Sequence, residues 1–505
     1  MKGGLVVCGT GSDAGKSLVV AGLCRLLARR GVRVAPFKAQ NMANNARVTA
    51  GGAEIATAQW LQAVAAGAEP EAAMNPVLLK PTSERASQVV VNGRAVGVWS
   101  AQRYQHEKAA LLPAVLDALN ELCRRYDVVV CEGAGSPTEI NLLDGDIVNL
   151  RLAREAGFPA IVVGDIDRGG VFASLYGTVA LLPDDLRACV RGFLVNKFRG
   201  DPALLGTAFA ELERRSGVPT LGCVPMLRGL DLDAEDSLAL ERWTSSGDGT
   251  DPASVSLDVA AVRFPHVANF GDLDPLRIEA GVAVRWVRGP AELGRPHLVV
   301  LPGSKSTRAD LDWFRSTGLA AAVAASPVPV LGICAGLQMV GGRIDDPGGV
   351  EGPPGTAAGL GLLPVDTRFG PDKVLDRPSA TAVDGPGAGH ATTGYRIHHG
   401  RVIPRHEARP WLVAAGGDGG TPLGWHRGRV AATAVHGLLE ADAFRAAVLR
   451  WAADHAGVPA PPELGRRSFA AARLARLDAV ADALEAHTHL DRLLALISEG
   501  VPASA

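Results

Sequence analysis

Over residues 1–230, short apolar β-branched runs alternate with stretches of helical period. The runs LVVCGT (from Leu5), RVAPF (from Arg33), DVVVCEG (from Asp127), PAIVVGDI (from Pro159), GFLVNKF (from Gly192) and PTLGCVP (from Pro219) read as strands. Between them lie amphipathic stretches such as KSLVVAGLCRLLARRG, whose apolar positions recur at three- and four-residue steps before a stop at Gly31. Apolar strands joined by helices predict a parallel sheet covered on both faces. A polar, Gly/Pro/Ser-rich stretch (SSGDGTDPASVS, from Ser245) then breaks the pattern, as a linker does.

A second alternating set follows: SLDVAAVRFP, VAVRWVRG, HLVVLPGSK and VPVLGICAG, then GLGLLPVDTRF, TTGYRIHHGRV and ATAVHGLLE. It predicts another α/β unit with more antiparallel character towards its end. After Arg466 the chain turns helical, with Phe469, Leu474, Leu477, Val480, Leu484, Leu490, Leu493, Leu494 and Ile497 on one face, as in a helix pair docking on the body. The expected organisation is an α/β chain with a P-loop domain over 1–240, a linker at 241–256, a second, flavodoxin-like α/β domain over 257–450 and a helical segment over 451–505.

Composition narrows the class. At 505 residues the chain is too long for one core, and 47% hydrophobic with 21% charged residues is close to the average of soluble globular proteins. A net charge of −2 argues against nucleic-acid or membrane-surface binding. The uncharged stretch from Ser316 to Gly342 is interrupted by Pro327, Pro329 and several glycines, so helix, buried strand and helix explain it better than a membrane span. Seven cysteines form no CxxC pair, which suits a reducing cytoplasm. A homo-oligomer stays open.

Two places carry chemistry. The segment CGTGSDAGKS leads from a strand into a helix, a variant of the phosphate-binding loop with glycines at 9, 11 and 15. The backbone of Thr10, Gly11, Ser12, Asp13, Ala14 and Gly15 would wrap a nucleotide phosphate, Lys16 would add a point charge, and Ser17 would hold Mg²⁺. Glu132 ends a buried strand before a Gly-rich turn and is the second metal candidate. Asn196 and Lys197 follow a later strand, where a base-recognition loop would sit. Only eight of the 51 basic residues are lysine, and Lys16, Lys38, Lys80, Lys197 and Lys305 fall in or beside strand-end loops. An Arg fork does not replace a compact ammonium aimed at a phosphate or carboxylate; for Lys305 a solvated surface position is the simpler reading.

The second place is VPVLGICAGLQMVGG, read as strand, Cys334 and helix, with Gly332, Ala335 and Gly336 permitting a sharp nucleophile elbow. His436, ending a strand about a hundred residues on, is the candidate base; His398 and His399 are read as substrate-contact or packing residues. The backbone N–H groups of Gly303 (or Ser304) and Ala335 are candidates for an oxyanion hole. Such a set suits amide hydrolysis through a thioester.

These motifs carry a resemblance. GTGSDAGKS is similar to dethiobiotin synthetase-type P-loops, and LPGSK, GICAGLQ and VHGLLE to class I (triad-type) glutamine amidotransferases. PFKAQNM, MNPVLLKP, EGAGSPTEINL, GDIDRGGVFASLYGT, NKFRGD, PGSKST and GYRIHHG resemble the cobyric acid synthase family over nearly the whole chain. The resemblance implies an enzyme using ATP, Mg²⁺, L-glutamine and a corrinoid to amidate carboxylates b, d, e and g of adenosyl-cobyrinic acid a,c-diamide. Lys38, Gln40 and Asn41 of PFKAQNM, with Asp144 and Asp146, become substrate-contact candidates. Many amidotransferases carry a Glu two residues after the catalytic His; here Leu438 stands there and Glu440 is the nearest acid, so a Cys–His dyad stays open. Gly51 and Arg396 stand where the family usually shows an acid, with Glu54 near the first. The sister enzyme acting on carboxylates a and c, and a partition or regulatory ATPase, are the alternatives.

Overall fold

The computed structural model describes residues 1–83, 85–227, 229–230, 255–415 and 420–500, so most of the expected linker lies outside the described residues. The described residues divide into two compact units, one within 1–43, 53–232 and 473–505, the other within 44–52 and 233–472.

The first unit is built on six parallel strands in the order Thr220–Pro225, Val190–Phe198, Ala160–Asp165, Gly3–Gly9, Val128–Glu132 and Val34–Phe37. Side chains of the central strand alternate between its faces. Leu5 and Val7 pack with Val20, Leu23 and Leu27 of helix Lys16–Arg29, while Val6 and Cys8 pack with Val115, Leu119 and Leu122 of helix Leu112–Arg125. A sheet covered on both faces needs apolar residues at every position, and the strands read that way. Parallel strands also bring the loops after Gly9, Glu132, Asp165 and Phe198 to one edge of the sheet, where open α/β sheets collect ligands.

Two features of this unit depart from the linear reading. Helices Phe469–His487 and Leu490–Glu499 contribute Leu477, Leu484, Leu493, Leu496 and Ile497 to the core on the Leu5 face. Gly22 lets this happen: a Cβ there would stand 2.6 Å from Leu484 Cδ1. Arg25 and Arg29 pair with Asp478, and Arg30 with Glu485, along the seam. Second, Gln40–Met42 begins a small sheet, running parallel to Val77–Ser83, which is followed by the antiparallel strands Ala86–Val91 and Arg94–Ser100. Its last turn is Asn92-Gly93, with φ of 47° and 76°, the left-handed pair of a tight hairpin.

The main sheet of the second unit has seven strands, in the order Val282–Val287, Leu257–Val262, Leu298–Leu301, Val330–Ile333, Val430–Thr433, Gly424–Arg427 and Arg409–Pro410. The first five pair in parallel, and the last two join through antiparallel pairings. A long antiparallel pair, Val365–Asp376 with Arg396–Pro404, lies outside that sheet. The uncharged stretch 316–342 resolves into helix Leu319–Ala325, strand Val330–Ile333 and helix Ala335–Val340. Among the described residues no helix is long and apolar enough to cross a membrane.

Candidate active sites

The loop after Gly9 turns back over the start of helix Lys16–Arg29. Thr10 donates its N–H to the Val163 carbonyl at 2.9 Å, so that group belongs to the sheet and the turn proper begins at Gly11. Asp13 (φ 61°) and Gly15 (φ 99°) are left-handed. Gly15 is also a close approach: a Cβ would stand 2.1 Å from Asn196 Nδ2, which donates to the Ala14 carbonyl at 2.9 Å. Asn196 thus supports the loop from strand Val190–Phe198, two places along the sheet from Gly3–Gly9. Lys197 pairs with Asp165 at 2.8 Å, and Asp13 with Arg168 at 3.1 Å.

Lys16 is buried and donates to the carbonyls of Gly11 (2.8 Å) and Gly135 (3.1 Å). Burial, the largest influence, holds its pKa below the ordinary lysine value. Glu132 sits behind it. One carboxylate oxygen accepts from Ser17 Oγ (2.8 Å) and Lys38 Nζ (2.7 Å); the other accepts from Gln62 Nε2 (2.5 Å) and Gln59 Nε2 (3.3 Å). Burial pushes this carboxyl up, but the Lys38 charge and the hydrogen bonds from Lys38, Gln62 and Ser17 outweigh it and hold its pKa low. Ser17 and Glu132 offer oxygen alone, a hydroxyl and a carboxylate, a donor set that would suit a hard cation taking phosphate and water as its other ligands.

The substrate candidates separate. Lys38 and Asn41 lie in this buried network, Asn41 donating to Gln59 Oε1 at 2.8 Å. Gln40 and Asp146 line a cavity of about 280 Å³ within the same unit. Asp144 is exposed and its carbonyl accepts from Arg151. Glu54 is buried against Lys80 at 3.0 Å.

In the second unit, Cys334 stands between strand Val330–Ile333 and helix Ala335–Val340 with φ 54° and ψ −102°, a strained position for a side chain. Gly336 permits it, since a Cβ there would stand 2.0 Å from the Leu301 carbonyl oxygen. The Cys334 thiol adjoins the His436 ring closely enough to influence its protonation, and the ring's Nδ1 lies 2.7 Å from Asp272 Oδ2. The other Asp272 oxygen accepts the Gly437 N–H at 2.6 Å. Gly303 adjoins the ring, a Cβ there standing 3.0 Å from His436 Cε1. Burial alone would lower the His436 pKa; Asp272 and Cys334 reverse that and raise it to about 10.

The acid beside His436 is therefore Asp272. Glu440 accepts from Arg47 at 2.8 Å, and Arg47 lies over Tyr395, whose ring stacks on His436 at 5.3 Å. Sequence reasoning missed Asp272 because no spacing ties it to a histidine 164 positions on. A signal existed: it follows strand Leu257–Val262, at the ligand-collecting end of a parallel sheet. Asn269 was also missed. Its Nδ2 lies 3.5 Å from His436 Nε2, while its backbone N–H donates to Asn45 Oδ1 at 2.6 Å and its Oδ1 accepts the Ala46 N–H at 2.9 Å. The stretch 44–52, which follows PFKAQNM in sequence, thus packs beside the thiol site.

His398 is buried, with Nδ1 2.7 Å from the Gly400 carbonyl and Nε2 without a hydrogen-bond partner among the described residues; burial lowers its pKa to about 4. His399 Nδ1 lies 3.3 Å from the Gly370 carbonyl, and Arg396 pairs with Asp376. Cys8, Cys24, Cys131 and Cys189 are buried, and burial raises each thiol pKa.

Residues 5–238 match the family described as the CobQ/CobB/MinD/ParA nucleotide binding domain, and residues 258–444 match the CobB/CobQ-like glutamine amidotransferase domain. Fold and sites together define an enzyme that joins a nucleotide-binding unit to a glutamine amidotransferase unit. Three similar curated proteins bear the name cobyric acid synthase, from Rhodococcus jostii (strain RHA1), Nocardia farcinica (strain IFM 10152) and Saccharopolyspora erythraea (strain ATCC 11635). Each is 50% identical, over 99% of this chain and 96%, 98% and 95% of the relative. The chain belongs to the cobyric acid synthase family.

Proposed function

We propose that this chain amidates carboxylates b, d, e and g of adenosyl-cobyrinic acid a,c-diamide in cobalamin biosynthesis, with ATP and glutamine as co-substrates. The observation that carries the reading is the pairing of a Cys334–His436–Asp272 relay in one unit with the Lys16, Ser17 and Glu132 cluster in the other. Cys334 attacks the side-chain amide of glutamine, and His436 delivers the proton that leaves with ammonia. Asp272 holds the ring's orientation. The backbone N–H groups of Gly303 and Ala335 are the candidates to face the tetrahedral oxyanion. Water then hydrolyses the thioester to glutamate.

A carboxylate is a poor electrophile because its leaving group would be oxide. Transfer of the γ-phosphoryl group of ATP to it gives an acyl phosphate and ADP; ammonia then attacks the carbonyl and phosphate leaves. Gly11 to Gly15 cradle the nucleotide's phosphates and Lys16 neutralises charge developing on the transferred group. Ser17 and Glu132 are the residues to hold Mg²⁺, which supplies charge neutralisation at the phosphates when bound. Asn196 acts by fixing the loop. Free thiols suit a cytoplasmic enzyme.

A partition or regulatory ATPase would leave the buried Asp272–His436 relay without a use, and the sister a,c-diamide synthase is disfavoured by the names of the relatives. The test is incubation with ATP, glutamine and adenosyl-cobyrinic acid a,c-diamide or cobyrinic acid, with product masses followed for steps of one amidation. Four steps from the diamide are expected; an unaltered diamide would overturn the reading.

A further inference from the structure

Four of the chain's buried or half-buried lysines have partners: Lys16 on two carbonyls, Lys38 on Glu132, Lys80 on Glu54 and Lys197 on Asp165. Lys108 is different. It is only 8% exposed and lines the cavity of about 280 Å³ in the first unit, yet among the described residues no side chain or carbonyl lies within hydrogen-bond distance of its ammonium. The acid whose charge reaches it is Asp146. That carboxylate is committed elsewhere, accepting the backbone N–H groups of Val148 (3.0 Å) and Asn149 (3.1 and 3.2 Å). Gly145 makes room for the lysine stem, since a Cβ there would stand 2.7 Å from Lys108 Cε.

A lysine held mostly out of water, whose ammonium opens onto a cavity with no hydrogen-bonded carboxylate, is a ready counter-ion for an acidic ligand. Burial does hold the Lys108 pKa below the ordinary value. A second polar group faces the same space: Gln40 accepts from the Tyr104 hydroxyl through Oε1 at 2.6 Å, which leaves its amide N–H groups as donors. The rest of the wall is apolar, with Leu79, Val89 and Trp99 inside, and Met42 (55% exposed) and Leu142 (37% exposed) at the rim. Gly135, whose carbonyl holds Lys16, is part of the same wall, so cavity and phosphate loop share one strand-end turn. Ligand cavities run from about 300 to 1,000 Å³. This one is at the small end, too small for a whole macrocycle and large enough for an arm.

We propose that this cavity binds one carboxylate-tipped side arm of the corrinoid, with Lys108 as its counter-ion and Met42 and Leu142 against the edge of the macrocycle. The proposal rests on the amidation reading for the identity of the ligand. Conversion of that arm to an amide removes its charge, so Lys108 favours acids over the fully amidated product and helps the product leave.

The experiment compares wild type with Lys108→Met, Lys108→Gln and Lys108→Arg. The KM for adenosyl-cobyrinic acid a,c-diamide is expected to rise about 10–100-fold in the Met and Gln variants, the scale of a lost charge-assisted hydrogen bond, and to recover in part in the Arg variant. Glutaminase turnover and the KM for ATP should stay unchanged. Without ATP or glutamine, quenching of Trp99 fluorescence by diacid and by adenosyl-cobyric acid gives affinities directly; wild type should prefer the acid, and Lys108→Gln should lose that preference. An unchanged KM and an unchanged acid preference in variants that melt like wild type would overturn the proposal. Wild type that binds the acid through Lys108 but amidates nothing would overturn the functional reading and leave this site standing.

Discussion

His436 Nδ1 lies 2.7 Å from Asp272 Oδ2, and the same carboxylate accepts the N–H of Gly437 through its other oxygen at 2.6 Å. Both side chains are buried. The carboxylate therefore sets the tautomer of the ring and the path of the backbone that carries it.

Asp272→Asn keeps the shape of the side chain and removes the charge that orients the ring. Glutamine-dependent amidation should fall by roughly 10²–10⁴-fold, with ammonia-dependent amidation retained. Glu440→Gln should change glutaminase turnover little, because Glu440 faces Arg47. Steady-state glutaminase assays of the two variants decide between the acids; a larger loss in Glu440→Gln would remove Asp272 from the relay.

The same contact makes stability depend on pH. An unfolded histidine titrates near 6.5, whereas folded His436 holds its proton up to about pH 10. The folded state therefore binds the extra proton between those values, and stability from the contact, complete below 6.5, is lost as pH rises towards 10. The Tm difference between wild type and Asp272→Asn should be greatest at or below pH 6.5 and shrink towards pH 10. A difference that grew with pH would contradict this sign.

The two units should separate by nitrogen source. Cys334→Ala should lose glutamine-dependent amidation by about 10³-fold or more and keep activity with free ammonia. Lys16→Ala should lose amidation with either source while glutaminase activity survives. Equal loss of both activities in Cys334→Ala would end the two-site division.

Asn45 meets the thiol site through Asn269, whose backbone N–H it accepts at 2.6 Å and whose Nδ2 lies 3.5 Å from His436 Nε2. Asn45→Ala should lower glutaminase kcat about 10-fold with little change in the KM for glutamine, as expected of a positioning residue. A change confined to KM would mean contact with glutamine itself.

Arg445 and Glu279 form an ion pair at 2.6 Å with neither side chain exposed, and Arg445 also donates to the carbonyls of Leu439 and Arg467. Glu279→Ala leaves the buried guanidinium with Asp442, 2.9 Å away, as its remaining carboxylate partner and should cost about 1–3 kcal/mol, read from denaturant unfolding. A loss below about 1 kcal/mol would show that the remaining acceptors suffice.

The strands of the first sheet and the thiol elbow were legible because each is written locally: an apolar run, then a glycine turn, then a helical period. Glu132 was legible for the same reason, at the end of such a run. The Asn92-Gly93 hairpin carried a local signal too, an NG pair between alternating apolar positions, and it went unread; with it went the strands that wall the Lys108 cavity.

Read along the chain, the local pattern was enough to find the glycine-rich loop with Lys16, the elbow cysteine, the histidine and the parallel strands, each on its element. It took the folded chain to show that Asp272 stands beside His436, that Glu440 is held by Arg47, that Lys108 lines a cavity, and that the last helices cover the first strand. The difference is one of range. Propensity and periodicity act over a few residues, whereas charge pairing and burial of apolar faces are settled by whichever parts of the chain meet in space, however far apart they lie along it.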